Sequence, residues 1–371
     1  MQATYAMTNV FIDHQKFSTQ RYGGISRYFV SLIDGIRNSA DVSCKIGVLH
    51  SQNYYLQNER LPLNNLIAGP LINLKTTVSY RINEFYCRQL LTRQNFDVFH
   101  PTYYSTYFLN MLRKPLVVTI HDMTYERYPE YFWAHDPLTY QKRRNIERAD
   151  AIIAISNATR NDLIRFFDVD PAKIHVIYHG IETTDPAKSR PISNLPSNYL
   201  LYVGDRNGYK NFYFFLRAFK ILQTRYPDLH LILTGGGSLG IAEREYIYRL
   251  SLGNRVRHLS STDEELTFLY QNALCFVYPS LYEGFGLPIL EAFRANCAMV
   301  LSNTACFREV AGDAAAYFEL NQIDDLVNAI DSLLTDTERR QRLIDAGAKR
   351  LRLFPVSESV QRTLALYKSL R

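Results

Sequence analysis

Residues 278–292 have the sequence YPSLYEGFGLPILEA. The apolar run from Leu274 to Tyr278 predicts a buried strand that ends at Pro279. Two glycines follow in a loop, and Pro288 stands where a helix begins. A strand, a glycine loop and a helix N-terminus in this order leave backbone N–H groups unpaired at the positive end of a helix dipole. Such a junction suits an anion or the hydroxyl groups of a sugar.

Two carboxylates flank this loop. Glu283 lies inside it, and Glu291 follows eight positions later, about one turn into the predicted helix. The two side chains can therefore bind different parts of one extended ligand. Connections in other α/β domains also use glycine and proline for turn geometry, so the rest of the chain has to support this interpretation.

With Gly-Phe-Gly-Leu-Pro between them, Glu283 and Glu291 resemble the E-x7-E motif of the retaining glycosyltransferases of family 4, which have the GT-B fold. The resemblance implies an α/β protein of two Rossmann-like, doubly wound domains that face a central cleft, with a C-terminal helix that crosses back to the first domain. The implied boundaries are 1–183 for the N-terminal, acceptor-side domain, 184–354 for the C-terminal, donor-side domain and 355–371 for the helix. The proline-bearing stretch 183–198 is the predicted linker.

The composition fits two domains of a globular protein. The chain has 371 residues, of which 47% are hydrophobic and 21% charged, and this length is too great for one core. The net charge of +6 is mild, and without a basic tail or a nucleic-acid module we expect no nucleic-acid partner. Five scattered cysteines predict buried free thiols in a reducing compartment.

The sequence predicts a cytoplasmic protein. No apolar run approaches the roughly 20 residues of a spanning helix, and the first eight residues do not resemble a signal peptide. A basic amphipathic helix predicted over 78–93 leaves open a peripheral contact with the inner face of the cell membrane, although a solvated helix face explains the same residues more simply.

In the first half, a glycine pair opens a helix after the first strand. Gly23 and Gly24 let backbone approach a ligand closely, and a plain turn explains them equally well. They also resemble the glycine loop that family members use near the donor phosphates, which implies donor binding.

Polar residues follow the predicted strand over 116–120, at the edge where parallel α/β sheets place their chemistry. In the family a histidine at this strand end lies close to the transferred sugar, which implies a catalytic role for His121. We assign Asp122 and Tyr125 to acceptor binding. The aromatic segment 125–133 forms either an acceptor wall or a packed loop.

The second half begins with a strand over 199–203 and the loop GDRNGYKN, followed by a helix. A strand, a glycine-containing loop and a cation before a helix form a phosphate-binding arrangement. Lys210 lies six residues after Gly204, the spacing that the family uses for its diphosphate lysine. Arg206 is the substitute for an arginine that many relatives carry elsewhere in this loop. The resemblance therefore implies catalytic roles for Lys210 and Glu283, and donor binding by Gly204, Arg206 and Lys210.

The implied donor is a nucleotide-diphosphate sugar. Glu291 would bind its ribose, and the sugar would be bound by Glu283, Gly284, Phe285, Gly286 and Leu287. The resemblance implies no cofactor and no metal. Asp168-Val-Asp170 looks like a metal-binding D-x-D triplet, but its place before Pro171 favours an exposed loop.

The expected function is transfer of a hexose to a glycan or lipid-linked acceptor in polysaccharide or lipopolysaccharide biosynthesis. GDP-mannose is the preferred donor, because the motif and the Gly-Tyr-Lys-Asn loop resemble bacterial mannosyltransferases, and a UDP-hexose is the alternative. Two other classes stay open: a GT-B phosphorolytic or epimerising enzyme, which would need no acceptor, and a non-catalytic nucleotide-sugar-binding protein.

Overall fold

The computed structural model describes residues 7–57, 59–66, 75–183, 188–206 and 208–371. These residues form two compact units. Unit 1 contains the chain up to Arg127, Trp133–His179 and Val356–Arg371, and unit 2 contains Tyr128–Phe132 and Gly180–Pro355. The predicted boundary between 183 and 184 and part of the predicted linker involve residues 184–187, which lie outside the described residues.

Unit 1 contains six parallel strands within its described residues, in two sheets ordered β2-β1-β3 and β4-β5-β6. A parallel bridge between Phe99 and Leu116 connects the facing edges of β3 and β4. The strands are β1 (Thr8–Ile12), β2 (Val42–Ile46), β3 (Val98–His100), β4 (Val117–Ile120), β5 (Ala151–Ala154) and β6 (Ile174–Val176). The helices of this unit are α1 (Gln15–Thr19), α2 (Gly24–Arg37), α3 (Pro62–Leu66), α4 (Thr76–Arg93), α5 (Thr124–Arg127), α6 (Leu138–Arg148), α7 (Asn157–Phe167) and, at the C-terminus, α15 (Val356–Ser369).

In the part of unit 2 that the structure describes, six parallel strands form one sheet in the order β12-β11-β10-β7-β8-β9. The strands are β7 (Tyr199–Val203), β8 (His230–Thr234), β9 (Val256–Leu259), β10 (Cys275–Tyr278), β11 (Met299–Ser302) and β12 (Ala316–Phe318). The helices are α8 (Phe212–Arg225), α9 (Ile241–Arg249), α10 (Asp263–Asn272), α11 (Leu287–Arg294), α12 (Ala305–Ala311), α13 (Ile323–Thr335) and α14 (Thr337–Leu351). Counted from β7, this is the doubly wound order 3-2-1-4-5-6, in which the strand order reverses between β7 and β10.

The central apolar runs of unit 2 form strands because both faces of the sheet are covered there. Every residue of β10 is buried, as are the first four residues of β7. Helix α8 packs on this sheet through Phe212, Phe215 and Phe219, whose spacing places them on one helical face. Burial of these side chains holds β7 and β10 in the centre of the sheet.

The last helix packs on unit 1, as predicted. In α15 the hydroxyl of Tyr367 lies 2.5 Å from Nδ1 of His100, and Lys368 forms a 2.7 Å ion pair with Asp41. A Cβ on Gly35 of α2 would lie 2.3 Å from Val360, so the two helices approach closely. Among the described helices, none is long and apolar enough to cross a membrane.

The five cysteines are all free, as predicted, and four of them are buried.

Candidate active site

The loops that follow β7 and β10 meet at the reversal point of the sheet in unit 2. A backbone hydrogen bond of 2.8 Å from the Leu281 N–H to the Tyr209 carbonyl joins them. Open parallel sheets bind ligands beyond the carboxyl ends of the two strands between which the order reverses. The topology therefore places both predicted ligand loops at one point, although 73 residues separate Lys210 from Glu283.

Lys210 and Glu283 form an ion pair at this point, with 2.6 Å between Nζ and Oε1. Each side chain is only 13% exposed. The ammonium group also lies 5.0 Å from the ring centroid of Tyr209 and 5.8 Å from that of Tyr278. A cation held beside aromatic rings and a carboxylate is screened little by water.

The protonation states of this cluster follow from its burial and from the pair itself. Burial lowers the pKa of Lys210, but the carboxylate of Glu283 outweighs it, and the pKa ends well above its usual value. Burial and the charge of Glu283 both raise the pKa of the Tyr278 phenol. Lys210 is therefore a fixed positive charge and Tyr278 a neutral phenol across the physiological pH range.

Helix α11 begins at the end of the same loop. Its N-cap, Gly286, has φ 92° and ψ 57°, a left-handed conformation that favours glycine, and a Cβ there would lie 3.1 Å from Ile289 and 3.2 Å from Phe307. Pro288 occupies the first turn. Glycine and proline thus fix the helix start, where Phe285, Gly286 and Leu287 lie as predicted in the sequence.

Glu291 lies within the second turn of α11, with Oε2 3.4 Å from the hydroxyl of Tyr270. Phe285 is buried, and its carbonyl accepts a 3.2 Å hydrogen bond from the Cys306 thiol. Gly284 is also buried. On the other loop, Gly204 has φ 121°, and nothing lies within 4 Å of a Cβ built there.

Arg206 is buried against the loop that follows β8. Its side chain is 3% exposed, and its Nε donates a 2.7 Å hydrogen bond to Glu243. The other guanidinium nitrogens donate to four consecutive carbonyls, those of Gly235, Gly236, Gly237 and Ser238. All three glycines have φ between 66° and 84°, so the loop needs glycine at each position. Arg206 therefore holds the glycine loop after β8, and its proposed contact with a donor phosphate stays a prediction.

We expect Arg206→Met to lower the melting temperature of the ligand-free protein by roughly 10 °C, because removal of one member of a buried charge pair costs about 3–5 kcal/mol. Thermal unfolding measures this. The control is Arg244→Met, at an exposed position of α9, which should melt like the wild type. An unchanged melting temperature for Arg206→Met would show that Arg206 does not stabilise the glycine loop after β8. It would favour a role limited to phosphate binding.

In unit 1, His121 follows β4 as predicted and is 7% exposed. Its ring stacks on that of His179, with centroids 6.0 Å apart and 21° between the planes. Within the described residues, its Nδ1 is buried and has no hydrogen-bond partner. Burial, with the neighbouring His179, lowers the pKa of His121 well below its usual value. A neutral imidazole with an unpaired nitrogen can accept a hydrogen bond from a ligand or donate one to it.

Asp122 and Tyr125 lie just beyond His121. The Asp122 carboxylate accepts a 2.9 Å hydrogen bond from the Thr124 N–H and so begins α5, and the Tyr125 hydroxyl lies 3.3 Å from Asp136. Burial and the charge of Asp136 raise the pKa of Tyr125 to about 12. Their assignment to acceptor binding stays a prediction.

Sequence reasoning did not find Lys142, which supports the backbone at Asp122. Its Nζ donates 3.0 Å to the Asp122 carbonyl and forms a 2.8 Å ion pair with Glu126. The two charged side chains are 1% and 4% exposed. A lysine among the polar residues of an amphipathic helix gives no signal of burial, so only the fold reveals this contact.

The glycine pair in unit 1 opens a helix, as its sequence indicates. Helix α2 begins at Gly24, and Gly23 is its N-cap with an extended backbone. A Cβ on Gly23 would lie 2.7 Å from the Gln20 side chain. Donor binding at Gly23 and Gly24 stays a prediction.

Buried histidines predict acid sensitivity of unit 1. Burial lowers the pKa of His100 and of His179 to about 3, against about 6.5 in an unfolded chain. Between these values the unfolded state binds more protons, so the unfolding free energy falls as the pH drops below about 6.5, by up to about 1.4 kcal/mol per pH unit for each histidine. We expect the urea midpoint to fall from pH 7 to pH 5, and to fall less steeply in His100→Gln. A matched substitution of the exposed His135 should keep the wild-type slope, and an equal slope in all three proteins would contradict the assignment.

Comparisons with known proteins identify the family. The model of Glycosyltransferase Family 4 matches residues 22–185, and that of Glycosyl transferases group 1 matches residues 185–350. The O-antigen chain mannosyltransferase B of Escherichia coli is 32% identical over 275 residues, which are 68% of this chain and 70% of that protein. This chain belongs to glycosyltransferase family 4. It is also 27% identical to the O-antigen chain mannosyltransferase RfbU of Salmonella typhimurium, over 54% of this chain and 55% of that protein.

Solved structures confirm the predicted GT-B fold of this family 4 glycosyltransferase. Sucrose-phosphate synthase from Thermosynechococcus elongatus has a TM-score of 0.75 at 19% identity, covering 98% of this chain and 99% of that chain. HepE of Anabaena, in complex with UDP and glucose, has a TM-score of 0.73 at 20% identity, covering 98% of this chain and 100% of that chain. WaaG, a glycosyltransferase involved in lipopolysaccharide biosynthesis, has a TM-score of 0.70 at 14% identity, covering 97% of this chain and 99% of that chain.

Proposed function

We propose that this family 4 glycosyltransferase is a retaining, metal-independent mannosyltransferase that transfers mannose from GDP-mannose to a glycan or lipid-linked glycan in bacterial surface polysaccharide synthesis. The observation that carries the proposal is the 2.6 Å Lys210–Glu283 pair, held at the reversal point of the sheet beside the start of α11. Mannose is the sugar named for the two relatives from Escherichia coli and Salmonella typhimurium.

Lys210 would bind the diphosphate of the donor. As the bond between the anomeric carbon and the phosphate oxygen breaks, negative charge develops on the leaving diphosphate. A buried ammonium group and the positive end of the α11 dipole would stabilise that charge. Fixed positive groups in a site with little water can supply this without a metal ion.

Glu283 would bind hydroxyl groups of the sugar, and Glu291 those of the ribose. In a front-face reaction, the acceptor oxygen bonds to the anomeric carbon on the side from which the diphosphate leaves. The acceptor proton passes to an oxygen of the leaving phosphate. This sequence of events retains the anomeric configuration and needs no protein nucleophile.

The test is a panel of radiolabelled GDP-mannose, UDP-glucose, UDP-galactose and UDP-N-acetylglucosamine, assayed with membrane glycolipid extracts as the source of acceptor. We expect transfer from GDP-mannose alone, unaffected by a metal chelator, and an α-linked product in the NMR spectrum. Thermal shift with each nucleotide gives a second measure of donor choice, since a ligand raises the melting temperature in step with its affinity. Transfer from a UDP-hexose would contradict the GDP-mannose assignment, and loss of transfer on chelation would contradict metal independence.

Release of a sugar phosphate or an epimer without an acceptor would instead indicate the phosphorolytic or epimerising class. Binding of donor without turnover would indicate a non-catalytic binding protein.

A further inference from the structure

A short aromatic segment from the first half of the sequence belongs to unit 2. Residues Tyr128–Phe132, here called the aromatic strap, leave unit 1 after Arg127, and the chain returns to unit 1 at Trp133. Pro129 begins a 3-10 turn over Pro129–Tyr131. A proline at this position fixes the local backbone and so lowers the entropic cost of presenting the neighbouring rings.

Tyr131 lies on Gly208, within the turn that ends at Lys210. A Cβ on Gly208 would lie 2.2 Å from Cδ1 of the Tyr131 ring, closer than any real contact. Gly208 is not among the glycines with positive φ, so its backbone conformation does not require glycine. A side chain at this position would therefore displace the ring of Tyr131.

The other two rings contact the partner loop and the neighbour of Lys210. The Tyr128 hydroxyl donates a 3.4 Å hydrogen bond to the Leu281 carbonyl, and its ring lies 6.4 Å from that of Tyr282. The Phe132 ring lies 5.9 Å from that of Tyr209. The strap thus contacts both loops next to the residues that carry the ion pair.

We propose that the aromatic strap positions Lys210 and Glu283 for the transfer step, with Tyr128 and Tyr131 as positioning residues. This inference rests on the proposed function only for its kinetic consequence. The backbone bond between Leu281 and Tyr209 joins the two loops directly. The strap contacts both loops as well, through side chains that come from outside the sheet.

Positioning of this kind affects the rate of the transfer step, because a shift of about 1 Å in a group that stabilises the transition state lowers that rate by up to about 10²-fold. A cycle of variants tests it. Tyr131→Ala should lower kcat about tenfold in the wild-type background and less than twofold in the Lys210→Ala background, since a residue that acts through Lys210 has no effect once Lys210 is gone. Tyr248→Ala, which removes an 80% exposed tyrosine from α9, is the matched control and should keep the wild-type kcat.

The contact itself is tested without any assay of transfer. Gly208→Ala should lower the melting temperature by several degrees, and Tyr131→Ala in the same chain should restore most of the loss, because the added methyl group then has room. Equal melting temperatures for Gly208→Ala and the wild type would contradict the contact between Tyr131 and Gly208, whichever sugar the enzyme transfers. Equal losses of kcat from Tyr131→Ala in both backgrounds would contradict the positioning role of the strap. A wild type that transfers no sugar from any donor would contradict the proposed function instead, and the melting comparison would still decide the contact.

Discussion

Replacement of Lys210 by alanine should reduce kcat/KM for sugar transfer by about 10²–10³-fold. The ammonium group is a positive charge at the reversal point of the sheet, and loss of one preorganised group that stabilises transition-state charge commonly costs this much. Its effect should be larger in kcat than in KM, since the charge on the leaving diphosphate is greatest as the bond breaks. Steady-state kinetics of the purified variant measure both constants.

Two further lysine variants are compared with Lys210→Ala. Lys210→Arg keeps the positive charge but changes its shape and hydrogen-bonding geometry, so we expect an intermediate rate. Lys349→Ala removes an exposed lysine from the last turn of α14 and should leave transfer unchanged. A Lys210→Ala protein within threefold of the wild-type rate would show that Lys210 does not stabilise the leaving group.

Replacement of Glu283 by glutamine should reduce kcat by at least about 10²-fold. Glutamine has the shape of glutamate but no charge, so it weakens the hydrogen bonds offered to sugar hydroxyls and removes the counterion of Lys210. Kinetics at a fixed donor concentration, over a range of pH, measure both consequences.

The pH dependence of Glu283→Gln separates these two consequences. The carboxylate of Glu283 raises the pKa of Lys210 against the opposing effect of burial, so its loss lowers that pKa. A group that must stay protonated then loses its proton at lower pH, and the alkaline fall in rate should move to lower pH in the variant. Glu338→Gln, at a side chain that is 88% exposed, should show neither change. An alkaline limb at the same pH in variant and wild type would contradict the electrostatic link between Glu283 and Lys210.

The sequence predicted the fold well because its signals are local. Apolar runs bounded by glycine and proline place β7 at Tyr199–Val203 and the start of α8 at Phe212 as expected. Helix α12 begins at Ala305, where Thr304 caps it by accepting a hydrogen bond from the Phe307 N–H. Caps of this kind depend on a single hydroxyl and are easily missed in an apolar context.

The site was less predictable because its contacts join distant residues. Arg206 donates hydrogen bonds to backbone carbonyls, which have no sequence signature, so these contacts were not predicted. Its contact with a donor phosphate stays a prediction. The membership of 128–132 in unit 2 likewise depends on where the chain passes, and the aromatic composition of that segment fitted a packed loop and an acceptor wall equally. The Lys210–Glu283 pair was predicted only as two separate ligands of one donor, and the doubly wound strand order explains why they meet.

A crystal structure of the protein with GDP bound tests the claim that Lys210 binds the diphosphate of the donor. The claim predicts Nζ of Lys210 within about 3.2 Å of a diphosphate oxygen, with Glu291 on the ribose hydroxyls and the start of α11 directed at the diphosphate. A diphosphate bound elsewhere in unit 2, with Lys210 contacting only Glu283, would contradict it.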